Sequence, residues 1–148
     1  LGGTDKAASV QLLDFPKVRN EYQNAVLEEK WIKLLETREQ ILKVLEEGRQ
    51  AGHYGNSLGA ALYLDTADGE EYAFLKENEK LLMELAIVSR ISISQLKASE
   101  SEGLSVRTEA IEDEKCQRCW MLVEGIGESE EHPGLCPRCA AVVAEMEV

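Results

Sequence analysis

The apolar residues of this chain change their period several times, and each change marks an element. Trp31, Leu34, Leu35, Ile41, Leu42 and Leu45 recur with Arg38 at spacings of three and four, with Glu, Lys and Gln opposite. That spacing predicts a long helix over roughly 18–50. Asn20, with Gln23 three residues on, resembles a capping box at its start, and Gly48 or Gly52 supplies the stop. Trp31 reads as core. Arg38 reads as a residue that lays its stem over the core and keeps its charge at the edge. Upstream, in the stretch DFPK (14–17), Pro16 fixes its own φ and drives Phe15 toward an extended conformation, so a bend is expected there.

After a polar turn at 52–57 (GHYGNS), the stretch LGAALYLD (58–65) alternates, with Leu58, Ala60, Leu62 and Leu64 on one side. Period two predicts a strand. TADGE turns the chain, and residues 73–88 return to helical spacing through Leu75, Leu81, Leu82, Leu85 and Val88. ISISQLKA (91–98) and, beyond the linker SESEG, LSVRTEAIE alternate again. Helix, strand, helix, strand, strand defines a small α+β body over residues 1–112. No internal repeat is visible.

From residue 113 the texture changes. Gly125, Gly127, Pro133 and Gly134 crowd a segment without a long apolar run, so residues 113–148 read as a separate module that cannot hold itself by burial. Such a module needs a staple. Cys116, Cys119, Cys136 and Cys139 supply one: the spacing C-x2-C-x16-C-x2-C falls in the range of zinc ribbons. Two cysteines three apart on a tight turn aim both sulfurs at one metal, and two such knuckles complete a tetrahedral shell. Protein fills all four positions, so the expected zinc is structural. Lys115, Arg118 and Arg138 stand beside the ligands and offset part of the thiolate charge. The rivals are a rubredoxin-like iron site, a redox dithiol, and four unrelated buried thiols. His132, close by in sequence, reads as a loop residue rather than a ligand.

Charge narrows the picture. The net charge of −12 argues against a protein that wraps long stretches of nucleic acid through phosphates. Apolar residues make up 44% and aromatics 5% of the 148 residues, so aliphatic packing carries the core. No run reaches the roughly 20 apolar residues of a membrane span, and no secretory leader is seen. Paired thiols without an export signal fit the reducing cytoplasm. A chain that opens on Leu rather than Met reads as a piece of a longer protein.

Taken together, KCQRCW, HPGLCPRCA, SVQLLDFP, the helix EEKWIKLLETREQILKVLEE and GNSLGAALYL resemble the carboxy-terminal region of bacterial isoleucyl-tRNA synthetases, across about residues 9–140. The resemblance implies a fragment of a class I aminoacyl-tRNA synthetase, a ligase of protein biosynthesis, joined to the rest of its parent. No KMSKS-type motif is present, and HYGN (53–56) matches the HIGH-type motif only superficially. The fragment is therefore expected to lack a catalytic site of its own. The resemblance further implies contact with the anticodon stem-loop of the isoleucine tRNA. In the family the Arg and Trp of the CxRCW motif face RNA, which carries over to Arg118 and Trp120, with Lys115 and Arg138 as basic neighbours. Unpaired bases stack on indole and guanidinium planes. Lys43, Arg49, His53, Lys97 and Arg107 are weaker candidates for a phosphate track. Two other readings stand: an acidic zinc-ribbon module that binds a protein through Trp120, and packing of Trp120 against the α+β body.

Overall fold

The computed structural model describes residues 9, 11, 14, 15, 17, 19–97 and 103–146. Pro16 of the expected bend, and most of the SESEG linker, lie outside them. Among the described residues the order is α1 (Ala25–Gln50), β1 (Ala60–Thr66), α2 (Gly69–Glu77), α3 (Glu79–Ala86), β2 (Arg90–Gln95), β3 (Ser105–Ala110) and α4 (Pro137–Met146). This is the predicted α+β succession with one helix split and one added.

Helix α1 starts at Ala25, later than the periodicity implied. Asn24, in extended backbone, caps it by accepting the Leu27 N–H at 3.0 Å, while Asn20–Tyr22 forms a short 3-10 turn. Asn24 satisfies a first-turn donor that the expected Asn20–Gln23 box does not reach. At the far end Gly52 takes φ 78°, so Gly52, not Gly48, is the stop. The buried stripe is also shifted from the expected one: Leu34, Thr37, Ile41, Leu45 and Gly48 face inward, while Leu35 and Leu42 stay exposed. Thr37 hides its hydroxyl by donating to Lys33 O at 2.9 Å. Gly48 makes room for Tyr54, whose hydroxyl donates to Leu45 O at 3.1 Å and bonds Thr108 Oγ1 at 2.9 Å. HYGN is thus a structural turn. Trp31 is half-buried against the core, and Arg38 Nε donates to Leu85 O at 3.0 Å.

The single helix expected over 73–88 is two. It begins early because Asp68 Oδ1 accepts the N–H groups of Glu70 and Glu71, both at 2.8 Å, which makes TADGE a turn and a cap at once. It breaks at Asn78, a buried residue whose Nδ2 donates to Phe74 O at 2.8 Å. Leu75 and Leu82 remain fully buried on either side of the break, so the apolar period hides it.

The sheet order is β2-β1-β3. Strand β1 pairs parallel with β2, across the α2–α3 crossover, and antiparallel with β3. Ala60, Leu62, Leu64 and Thr66 on one face of β1 are buried with the helices; Leu58, expected in the strand, belongs to the 3-10 turn Ser57–Gly59 before it. A second, smaller cluster gathers Cys116, Cys136 and Cys139 with Val123, Ile126 and Leu135. No helix among the described residues is long and apolar enough to cross a membrane.

Candidate metal centre

The first knuckle is a short hairpin. Cys116 N donates to Met121 O at 3.0 Å, Trp120 N to Cys116 O at 2.9 Å, and Val123 N to Glu114 O at 3.2 Å, around an isolated Lys115–Leu122 bridge. The second knuckle opens α4. Pro137 sits at the first helical position, where its missing N–H costs nothing, and Ala140 N donates to Cys136 O at 2.9 Å. This helix was not read from the sequence. Proline at its first position followed by RCAAVVAEM was the signal for it. Gln117 N to Gly134 O, at 3.0 Å, ties the knuckles together.

These turns bring all four sulfurs within 4.8 Å of one another. The Cys119 and Cys136 sulfurs are 3.9 Å apart, nearly twice a disulfide length of about 2.05 Å. With Zn–S near 2.3 Å, tetrahedral sulfurs stand roughly 3.8 Å apart. The donor set fits zinc. Cys116 and Cys139 are fully buried, Cys136 nearly so and Cys119 partly.

Their surroundings favour thiolate unequally. Burial pushes the Cys116 thiol up, but backbone N–H groups of Cys119, Cys136 and Arg118 outweigh it and bring it down to about 6. Cys136 Nα lies 3.3 Å from the Cys116 sulfur. Burial likewise opposes Cys139, yet the Arg118 guanidinium, with Nη1 at 3.8 Å, leaves it below its ordinary value. Burial carries Cys136 the other way, up to about 11. A divalent ion replaces these protons when it binds.

The basic residues divide. Arg118 leans on Cys139. Arg138 places Nη2 at 3.9 Å from Met121 Sδ, and burial works against its charge while Cys119 and Cys139 raise its pKa. Lys115 sets Nζ 4.7 Å from the Trp120 ring centroid. Trp120 itself is 59% exposed and takes φ 66°, a left-handed conformation unusual for its type. His132 lies outside the sulfur cluster, in a turn where its carbonyl accepts Leu135 N at 3.0 Å. Of the weaker basic candidates, Arg107 lies over the Tyr63 ring and pairs with Asp65 and Glu109, and Arg49 pairs with Glu46.

A hairpin knuckle, a helix-borne second knuckle and four converging sulfurs define a zinc-finger module. Residues 113–142 match the family described as a zinc finger found in FPG and IleRS, which favours zinc over iron. The whole chain has relatives as well. It is 41% identical over 154 residues to an isoleucine–tRNA ligase of Moorella thermoacetica, covering 98% of this chain and 16% of that protein. It is 43% identical to that of Carboxydothermus hydrogenoformans (96% of this chain, 16% of that protein) and 40% identical to that of Thermotoga maritima (93% and 15%). Nearly the whole chain thus matches one segment of these isoleucine–tRNA ligases, and it spans about 16% of the length of the relatives it matches.

Proposed function

We propose that this chain is the carboxy-terminal tRNA-binding region of an isoleucine–tRNA ligase, acting in the cytoplasm and joined to the rest of that enzyme. Residues 1–112 form the body beside the anticodon stem. Residues 113–148 form the zinc module, with Cys116, Cys119, Cys136 and Cys139 as ligands. The metal's role is structural: it fixes both knuckles and offers no open position. Trp120 and Arg118 take up unpaired bases of the anticodon loop, while Lys115 and Arg138 supply charge for the backbone.

The observation that carries this reading is Trp120, mostly exposed and in left-handed backbone, with its N–H bonded to Cys116 O in the metal-binding turn. A large aromatic side chain kept outside in an unfavourable conformation favours contact with something else. Preorganisation by the metal lowers the ordering cost of binding. Charge sets the strength. Acidic residues outnumber basic ones eight to three over residues 113–148, so the isolated chain binds weakly and in a salt-sensitive way. A filter titration of isoleucine tRNA against wild type, Trp120→Ala and Arg118→Ala tests this. Both variants are expected to bind more weakly while keeping their zinc. Tight binding that ignores added salt would contradict the reading. The acidity also favours a second reading, a module that docks a protein through Trp120. Tryptophan emission unchanged by RNA, with equal affinities, would select it.

A further inference from the structure

Between the sheet and the zinc finger lie two side chains that the RNA reading leaves unused. Ser89, only 7% exposed, immediately precedes β2. Its hydroxyl donates to Leu58 O at 2.7 Å and accepts the Leu122 N–H at 2.9 Å. One oxygen therefore joins the entrance of β1 to the returning arm of the first knuckle. Arg90, the first residue of β2, reaches Asp113 at 2.5 Å and Glu124 at 3.6 Å. Asp113 and Glu124 lie on opposite arms of the knuckle hairpin, with the Lys115–Leu122 bridge between them. Ser89 and Arg90, neighbours in sequence at the start of β2, thus hold both arms.

The finger's only covalent link to the sheet runs through Ile111 and Glu112, from β3 on the other side of β1. A single tether leaves a module free to swivel. A tether on one edge strand and pins on the other do not. The finger has its own sulfur-centred cluster, so these pins are not needed to fold it.

We propose that Ser89 and Arg90 are positioning residues that hold the zinc finger in one orientation on the sheet and so aim Trp120. The aiming rests on the RNA reading above; the fixed orientation does not. Ser89 is the stronger pin, because removing its buried oxygen leaves the Leu122 amide and the Leu58 carbonyl without that partner. The Arg90 pairs are more exposed and more screened.

The test uses the whole zinc-loaded chain, with amide residual dipolar couplings measured in a weakly aligning medium. In wild type, couplings from the body and the finger are expected to fit one alignment tensor. In Ser89→Ala/Arg90→Ala they need two, the finger tumbles faster, and zinc stays stoichiometric. RNA affinity then falls roughly two- to tenfold, the cost of ordering a loosened module. Ser89→Thr, which keeps the hydroxyl, retains one tensor. Two tensors in wild type, or one in the double variant, overturn the proposal. Should Ser89→Ala fail to fold, Arg90→Ala alone decides. Finger couplings that leave the common tensor support the pin, and couplings that stay on it contradict the pin. If the tensors split as expected but Trp120→Ala binds RNA like wild type, the RNA reading falls and the pin stands.

Discussion

Replacing Trp120 by glycine separates what this residue does for the fold from what it does for RNA. Its φ of 66° costs an L-residue about 1–2 kcal/mol, and glycine adopts that conformation freely. Two effects oppose the relief. The Lys115 ammonium, 4.7 Å from the ring, contributes about 0.5–1 kcal/mol at an exposed site. Glycine's extra freedom in the unfolded chain costs a further 0.5–1 kcal/mol or so. The sum lies within about 1 kcal/mol of zero. An indole packed in a core would instead cost about 3–5 kcal/mol on truncation. RNA binding is expected to respond differently, losing about 1–3 kcal/mol for one stacked base, or roughly five- to 150-fold in affinity. Thermal unfolding in excess zinc and a tRNA titration, run on the same two proteins, measure both. A drop in stability above about 3 kcal/mol would make Trp120 a packing residue. Unchanged RNA affinity would refute the stacking role.

Three further outcomes are expected. Cys136→Ser removes a ligand from a site worth on the order of 10–16 kcal/mol, so zinc is lost and the 10-residue α4 melts, while circular dichroism keeps the signal of the 26-residue α1; collapse of both would contradict separate cores. Gly48→Ala puts a methyl 2.2 Å from the Tyr54 hydroxyl and expels that ring, so urea unfolding should show a loss of about 1–3 kcal/mol despite a helix-propensity gain of roughly 1 kcal/mol. Acidification releases the metal. Cys116 lies below its ordinary value, so its thiolate persists as pH falls and is lost through about 6, and a zinc indicator should report release on the acid side of that value. Zinc retained at pH 4 would argue against a site built from thiolates alone.

How far the sequence could be read depended on the range of each interaction. The four-cysteine site was legible because its spacing is local and its chemistry specific. The strands were legible because Leu62 and Leu64 alternate with Tyr63 and Asp65. The inward stripe of α1 was not, since Thr37 and Gly48 take the buried positions while Leu35 and Leu42 face out. Only Tyr54, packed across the turn, explains a buried glycine there. The break at Asn78 was masked by an apolar period that runs straight through it. The parallel pairing of β1 with β2, and the Ser89–Leu122 bond across 33 residues, depend on tertiary packing that no local pattern encodes.

The most direct test follows the Trp120 indole N–H resonance while anticodon stem-loop RNA is titrated into the chain, first with zinc bound and then after chelation. This peak and the Arg118 amide are expected to move together, saturably, and only while zinc is present. An indole peak that stays still with RNA bound, or that shifts equally without the metal, would contradict the claim that a zinc-held knuckle presents Trp120 to tRNA.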